Sequence, residues 1–276
     1  PLYARDGYDQ IGNAKFDIYK NILRLGFVPL LLLAALYGVF WLREKKKCRL
    51  SVTDGCVLAY MFFTILSAGF GGFYQDALWG SFGWNMGLLS QISFVLLYLF
   101  LSRFGRQYRP VLVILCAVSA VVFLLGILHR VGIDPIGFYQ GLTDDQMAQF
   151  LSTMGQATWY ASYLIVVLPV GTAVFLYAQK KIWRMVSGIY VVIGFCSLVT
   201  QNSDSAYFAL AGFMLVLFWF CVEKEESLRR FAAVCVMFFA SGKVMSLFMR
   251  IRPNPELRYD FMTSLILDSV LTWVLL

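Results

Sequence analysis

An all-α, polytopic transmembrane helical bundle is the fold class that this chain predicts, and three observations predict it. Hydrophobic residues make up 60% of the 276 positions and charged residues 14%, against about half and about a quarter in an ordinary soluble domain. The apolar residues gather into runs long enough to cross roughly 30 Å of hydrocarbon as helix. Fourteen of the 23 Lys and Arg residues fall in four alternate loops between those runs.

Taken in order, the runs place nine spans at 21–42, 53–72, 85–101, 110–128, 160–178, 182–200, 205–222, 231–249 and 261–276. Helix is the natural reading because lipid offers no partner for an open backbone N–H or C=O. The apolar–polar alternation of a membrane barrel is absent from the sequence. The expectation is a single integral membrane domain over 1–276, with no soluble module, repeat or low-complexity tract.

The loops carry orientation. "REKKKCR" at 43–49 holds five Lys/Arg, and "SRFGRQYR" at 102–109, "QKKIWR" at 179–184 and "EKEESLRR" at 223–230 hold three each. Loops 73–84 and 201–204 hold none, and the long 129–159 loop holds only Arg130. By the positive-inside rule the basic set faces the cytoplasm, and 1–20, 77–91, 129–159 and 250–260 face outward. The net charge of +7 is therefore mainly a topology signal. A nucleic-acid partner is not expected, since no soluble face collects the basic residues. The six cysteines, including Cys48, do not form a disulfide framework and read as small apolar residues.

Both ends suggest a piece of a longer protein. The chain opens on Pro1 with a polar, outward stretch and closes on "DSVLTWVLL" inside an apolar run. A site built only from 1–276 is expected to be incomplete and inactive by itself.

Chemistry must come from the outward loops. The 129–159 loop opens with the only histidine, His129, whose unperturbed pKa suits acid–base work; the other reading is an interfacial residue at a helix end. A short helix starting at Thr143, with Asp144 and Asp145 in its first turn, would lay Phe150, Leu151 and Met154 on the membrane surface. "MRIRPNPELRYD" at 249–260 sets Arg250, Arg252 and Arg258 on a face where few cations belong, with Lys243 two turns inside the preceding span. They either face headgroup phosphates or line a cavity, and Asp268 is a buried partner for Lys243 in the second case. No His, Cys, Asp or Glu cluster has the spacing of a metal site, so neither metal nor cofactor is expected.

"ALWGSFGWNMGLLSQ" at 77–91 interrupts two apolar runs with glycine, tryptophan and amides. Gly80, Gly83 and Gly87 allow close backbone approach, Trp79 and Trp84 offer faces for sugars, and Asn85 adds a polar contact. An interfacial aromatic belt accounts equally well for the tryptophans. In "QATWYASY", Gln156, Trp159 and Tyr163 share a helix face near the outer surface, with Pro169 deeper in the span.

In order, "ALWGSFGWNMGLLSQ", "GIDPIGFYQGL", "STMGQATWYASYLIVVLPVG" and "SLVTQNSDSAYFALAG" resemble the motifs of the O-antigen ligase and O-antigen polymerase superfamily of bacterial membrane glycosyltransferases. The resemblance spans about half of the chain and departs from the family twice. Trp84 stands where the first motif tends to place arginine, and Ser203-Asp204 where the fourth reads Ser-Arg.

The resemblance implies transfer of a glycan from an undecaprenyl-pyrophosphate carrier to a lipid or glycan acceptor, on the outer face of the bacterial cytoplasmic membrane. Guanidinium groups would hold the leaving pyrophosphate and a base would activate the acceptor hydroxyl, with no metal required. On that basis Arg252, Arg258, His129 and Asp204 are the catalytic candidates, Asp76 being the other outer carboxylate. Arg250, Lys243, Trp84, Asn85, Gln156, Trp159 and Tyr163 are the substrate-binding candidates. The rival readings are a secondary transporter or flippase-like carrier, and a non-catalytic glycan-binding relative favoured by the two missing arginines.

The topology is open to a direct check. In a cysteine-free background, Gln140→Cys should react with an impermeant thiol reagent on intact cells and Lys46→Cys should not; the reverse pattern would invert every assignment of face.

Overall fold

The computed structural model describes residues 7–8, 11–44, 51–81, 85–104, 108–251 and 259–268. The chain divides into two compact units, residues 12–108 and residues 1–11 together with 109–276, each taken here by itself.

In the first unit, α1 (Ile11–Glu44) is followed by α2 (Val52–Phe70), α3 (Tyr74–Trp79) and α4 (Leu88–Phe104). A capping box starts α2: Ser51 Oγ accepts the Asp54 N–H at 3.1 Å, and Asp54 Oδ2 accepts the Ser51 N–H at 2.8 Å. The same carboxylate, 2% exposed, receives Arg103 Nη2 at 3.1 Å and the Tyr98 hydroxyl at 3.1 Å. A charge in an apolar setting persists when its oxygens are bonded this fully, so one carboxylate both opens α2 and fastens it to the end of α4.

Between α3 and α4 the backbone doubles back on itself. Gly80 has φ +89°, and a Cβ there would sit 2.4 Å from the Met86 nitrogen; one at Gly87 would sit 2.3 Å from the Gly80 nitrogen. Only glycine fits at both crossings, as the sequence suggested, while Gly83 lies outside the described residues.

The second unit holds α5 (Tyr108–Arg130), α6 (Asp144–Gln149), a hairpin of β1 (Phe150–Leu151) and β2 (Gly155–Gln156), α7 (Ala157–Tyr177), α8 (Lys181–Thr200), α9 (Asp204–Cys221), α10 (Glu225–Ile251) and α11 (Phe261–Asp268). Its core gathers Phe123, Tyr160, Leu164, Leu168, Phe195 and Leu198, all nearly inaccessible. Lipid is as apolar as leucine, so helices associate through close packing at small residues and through interhelical hydrogen bonds. Gly126 faces the Tyr160 ring, Gly171 the Tyr190 ring and Gly194 the Leu168 side chain. The Tyr160 hydroxyl donates to the Val122 carbonyl at 3.1 Å and also bonds Ser197 Oγ, and the Tyr190 hydroxyl donates to Val167 O at 3.1 Å.

Helix ends sort as alternating loops require. Arg230 donates to the Leu176 carbonyl, joining the start of α10 to the end of α7. At the opposite end Arg130 joins α5 to the Thr200 carbonyl of α8, and Asp204 and Asn202 at the start of α9 accept N–H groups of Met262 and Asp260.

Six helices among the described residues are long and apolar enough to span a membrane: α2, α5, α7, α8, α9 and α10. That corrects the expected nine. The 85–101 run is α4, whose 17 residues make about 26 Å of helix, just under the hydrocarbon thickness. The 21–42 run lies within the 34-residue α1, and only Phe261–Asp268 of the last run is described.

A second correction concerns the 129–159 loop. Its short helix forms as expected, with Gln146 Oε1 accepting the Thr143 N–H at 3.1 Å. Leu151, however, is 1% exposed, Phe150 stacks on Tyr8 with ring centroids 5.2 Å apart, and Met154 packs on the core. The hairpin turns these side chains into the protein, where tertiary partners replace the membrane surface.

Gly126→Ala tests the packing. Its Cβ would meet the Tyr160 hydroxyl oxygen at 2.2 Å, so unfolding in bicelles should show a loss of about 1–3 kcal/mol. Gly212→Ala, which meets nothing within 4 Å, should be neutral or stabilising by up to about 1 kcal/mol.

Candidate functional site

Where α5 ends, two adjacent residues turn inward and organise everything after them. His129 and Arg130 are each 3% exposed. Gly132 (φ +75°) then lets the chain reverse into "IDPIGFY". Asp134 Oδ1 accepts the N–H groups of Ile136 at 3.2 Å and Gly137 at 2.9 Å, and Oδ2 that of Tyr139 at 2.7 Å. The Asp-Pro-Ile-Gly order thus makes a loop wrapped around its own carboxylate.

Burial pushes the Asp134 carboxyl up, but those N–H donors and the neighbouring imidazole outweigh it and hold it below the usual carboxylate range. The Tyr139 hydroxyl, raised chiefly by burial, stays protonated and donates to the carbonyls of Phe150 at 3.1 Å and His129 at 3.3 Å.

The imidazole is held on both sides. Ser152 donates its backbone N–H to Nδ1 at 3.0 Å, which makes Nδ1 the acceptor and puts the ring proton on Nε2. Nε2 lies 3.4 Å from Asp134 Oδ1 without the alignment of a hydrogen bond. The Tyr8 hydroxyl sits 3.1 Å from Nδ1 and donates to the Ser152 carbonyl, so the segment before α1 is tied into this knot. With its basic nitrogen committed to a backbone donor, His129 works here as a structural pin joining α5, the hairpin turn and Tyr8.

Arg130 reaches the other way. Nε donates to the Thr200 carbonyl and Nη1 to the Ala148 carbonyl at 2.9 Å. One side chain therefore clamps the end of α5 to the end of α8 and to α6. Thr200 and Gln201 are fully buried, as are Ser152 and Thr153.

The sequence-derived candidates fall in several places. Asp204 Oδ1 accepts the Met262 N–H at 3.0 Å, which makes it a tie between α9 and α11. Lys243, 4% exposed, donates to the Leu267 carbonyl at 3.2 Å. Asp268 lies 3.9 Å from Arg250, on an exposed surface, instead of forming the expected buried pair with Lys243. Gln156 and Trp159 are exposed at the start of α7, while the Tyr163 hydroxyl turns to Ser119 Oγ of α5 at 2.9 Å. Asn85, at φ +51°, donates to Asn13 Oδ1 at 3.4 Å within the other unit. Trp84, Arg252, Arg258 and Cys48 lie outside the described residues.

Sequence reasoning passed over Arg130, Tyr8, Ser152 and Gln201. For Arg130 a signal was present, because it is the lone Lys or Arg of the long 129–159 loop. Tyr8, Ser152 and Gln201 carried none, as each matters only through a partner distant in sequence. Among the described residues no three His, Cys, Asp or Glu side chains are placed to hold a metal ion.

The Asp134 knot has a pH signature. Because its folded pKa is depressed, its contribution is present above the unfolded value of about 3.9 and is lost as pH falls through the folded pKa. Asp134→Asn should therefore speed hydrogen exchange at the amides of Ile136, Gly137 and Tyr139 at neutral pH, and the difference from wild type should close on acidification.

No protein-family model matches the chain, and neither curated proteins nor solved structures match it.

Proposed function

We propose that this chain is a membrane glycosyltransferase of ligase or polymerase type, similar to the O-antigen ligase and polymerase superfamily. It would pass a glycan from an undecaprenyl-pyrophosphate carrier to a lipid or glycan acceptor on the outer face of the cytoplasmic membrane. The ordered motifs suggest the reading, and one structural observation supports it. His129, Arg130, Ser152, Thr153, Thr200 and Gln201, each no more than 3% exposed, collect where α5, α8 and the 131–156 loop meet.

A buried polar layer at one end of apolar helices is where membrane proteins handle polar cargo. In the proposed topology that end faces outward, with α1 and α4 as further crossings. The cation beside Thr200 suits a pyrophosphate leaving group, and the exposed Gln156 and Trp159 near the same end suit a sugar. A secondary transporter would call for a pseudo-symmetric pair of broken helices near the midplane; α7, α8, α9 and α10 run unbroken.

Transfer from a lipid-linked oligosaccharide to an acceptor membrane fraction is the measurement. Arg252→Lys and Arg258→Lys should lower transfer far more than they lower abundance, since lysine keeps the charge and loses the planar fork. Arg229→Lys, which keeps an exposed i,i+4 pair with Glu225, should leave transfer unchanged. Full transfer in both of the first two variants would return the 250–258 arginines to headgroup contacts.

A further inference from the structure

Cations at two of the helix ends are matched by carboxylates. Arg103 of α4 meets Asp54 at 3.1 Å, and at the start of α10 Arg229 meets Glu225 at 2.6 Å and Arg230 meets Glu226. The turn from α7 to α8 differs. Lys180, Lys181 and Arg184 stand within about one helical turn, both lysines exposed, and none of the three forms an ion pair among the described residues. No Asp or Glu occurs anywhere from 157 to 203. The positive-inside rule accounts for cations on this face. It does not require that one turn be left without carboxylates while the next has them.

An apolar stripe runs on from the cations. Ile182, Met185, Val186 and Ile189 follow helical spacing along one face of α8 and are all more than half exposed, whereas Ser187, Gly188, Tyr190 and Val191 turn inward. From Ile182 to Ile189 the stripe covers about 10 Å, and from Gly194 to Thr200 the helix is buried all round. Trp183, exposed beside the cations, has the indole that membrane interfaces favour. No side chain caps α8, because Lys180 at the N-cap offers no acceptor, so the positive end of the helix faces the same turn.

We propose that the start of α8 is a docking site for an anionic phospholipid, whose phosphate is held by Lys180, Lys181 and Arg184 and whose upper chains lie along Ile182, Met185, Val186 and Ile189. Unmatched positive charge above a short apolar stripe complements a lipid's anion above its hydrocarbon. A soluble anion would leave the stripe uncovered. A second copy laid on its own α8 would set these cations against the same cations, with no carboxylate on either helix. Each Lys or Arg near an anionic surface is worth about fivefold in affinity. The inference is independent of the glycan-transfer reading.

Trp183 reports on the site directly. The 276-residue chain is reconstituted in phosphatidylcholine vesicles with rising mole fractions of phosphatidylglycerol or phosphatidylcholine brominated near the tops of the chains. The emission that Trp183→Phe removes is the Trp183 signal in wild type and in each variant. In wild type, brominated phosphatidylglycerol should quench it at a mole fraction about tenfold lower than brominated phosphatidylcholine. Lys181→Gln should reduce that preference about fivefold, and adding Lys180→Gln and Arg184→Gln should make the two lipids equal. Arg229→Gln, at the paired start of α10, should leave the preference within about twofold of wild type. The single Lys181 change, at an exposed position, keeps the test decisive if the triple variant does not fold.

Equal quenching by both lipids in wild type, or a preference unchanged in the folded variants, overturns the proposal. So does an equal loss in Arg229→Gln, which would assign the attraction to the whole face. Quenching by neither lipid would put protein over the stripe, as a second copy would, and overturns it as well.

Discussion

The guanidinium of Arg130 is the interaction on which the larger unit depends. It bridges the ends of α5 and α8 and the last turn of α6 by donating to carbonyls at Thr200 and Ala148. Helix C-termini leave carbonyls without intrahelical partners, and in an apolar setting those carbonyls must be met by side chains. One arginine meets two of them from different segments, so its burial and the packing of three elements are the same event. Among the described residues no carboxylate forms an ion pair with it, so backbone carbonyls are what its donors meet.

His129 acts in the opposite direction from the neighbouring backbone position. Through Nδ1 it fixes Ser152, through Asp134 it faces a loop folded around that carboxylate, and through Tyr8 it anchors the segment preceding α1. The imidazole and the guanidinium together hold the 131–156 loop from two sides. In a chain whose helices have no hydrophobic reason to prefer one another over lipid, such polar ties and the glycine contacts supply the specificity. The Asp54–Arg103 pair does the same between α2 and α4.

Part of the local structure was legible in the sequence. The Thr143 helix start beside the site and, in the other unit, the glycine crossing at 80 and 87 follow from local signals: a capping residue and small residues. The roles of the polar residues were less legible. Asp204 reads as an outer base and is a tie to α11; Lys243 reads as the partner of Asp268 and meets the Leu267 carbonyl. Phe150 and Leu151 read as a membrane-facing surface and pack inward, because nothing local reveals that a hairpin turn will bring Tyr8 over them.

The sequence by itself determined that this is a helical chain with apolar helices long enough to span a membrane, and roughly where most of those helices lie. Those properties depend on each segment's exchange with lipid and water, a local quantity that hydropathy and charge record. Tertiary structure alone decided which polar groups meet: Arg130 with a carbonyl 70 residues away and Tyr8 with an imidazole 121 residues away. Such pairings arise because a buried donor takes whichever acceptor the packed helices bring within reach. That choice is made only when the bundle closes.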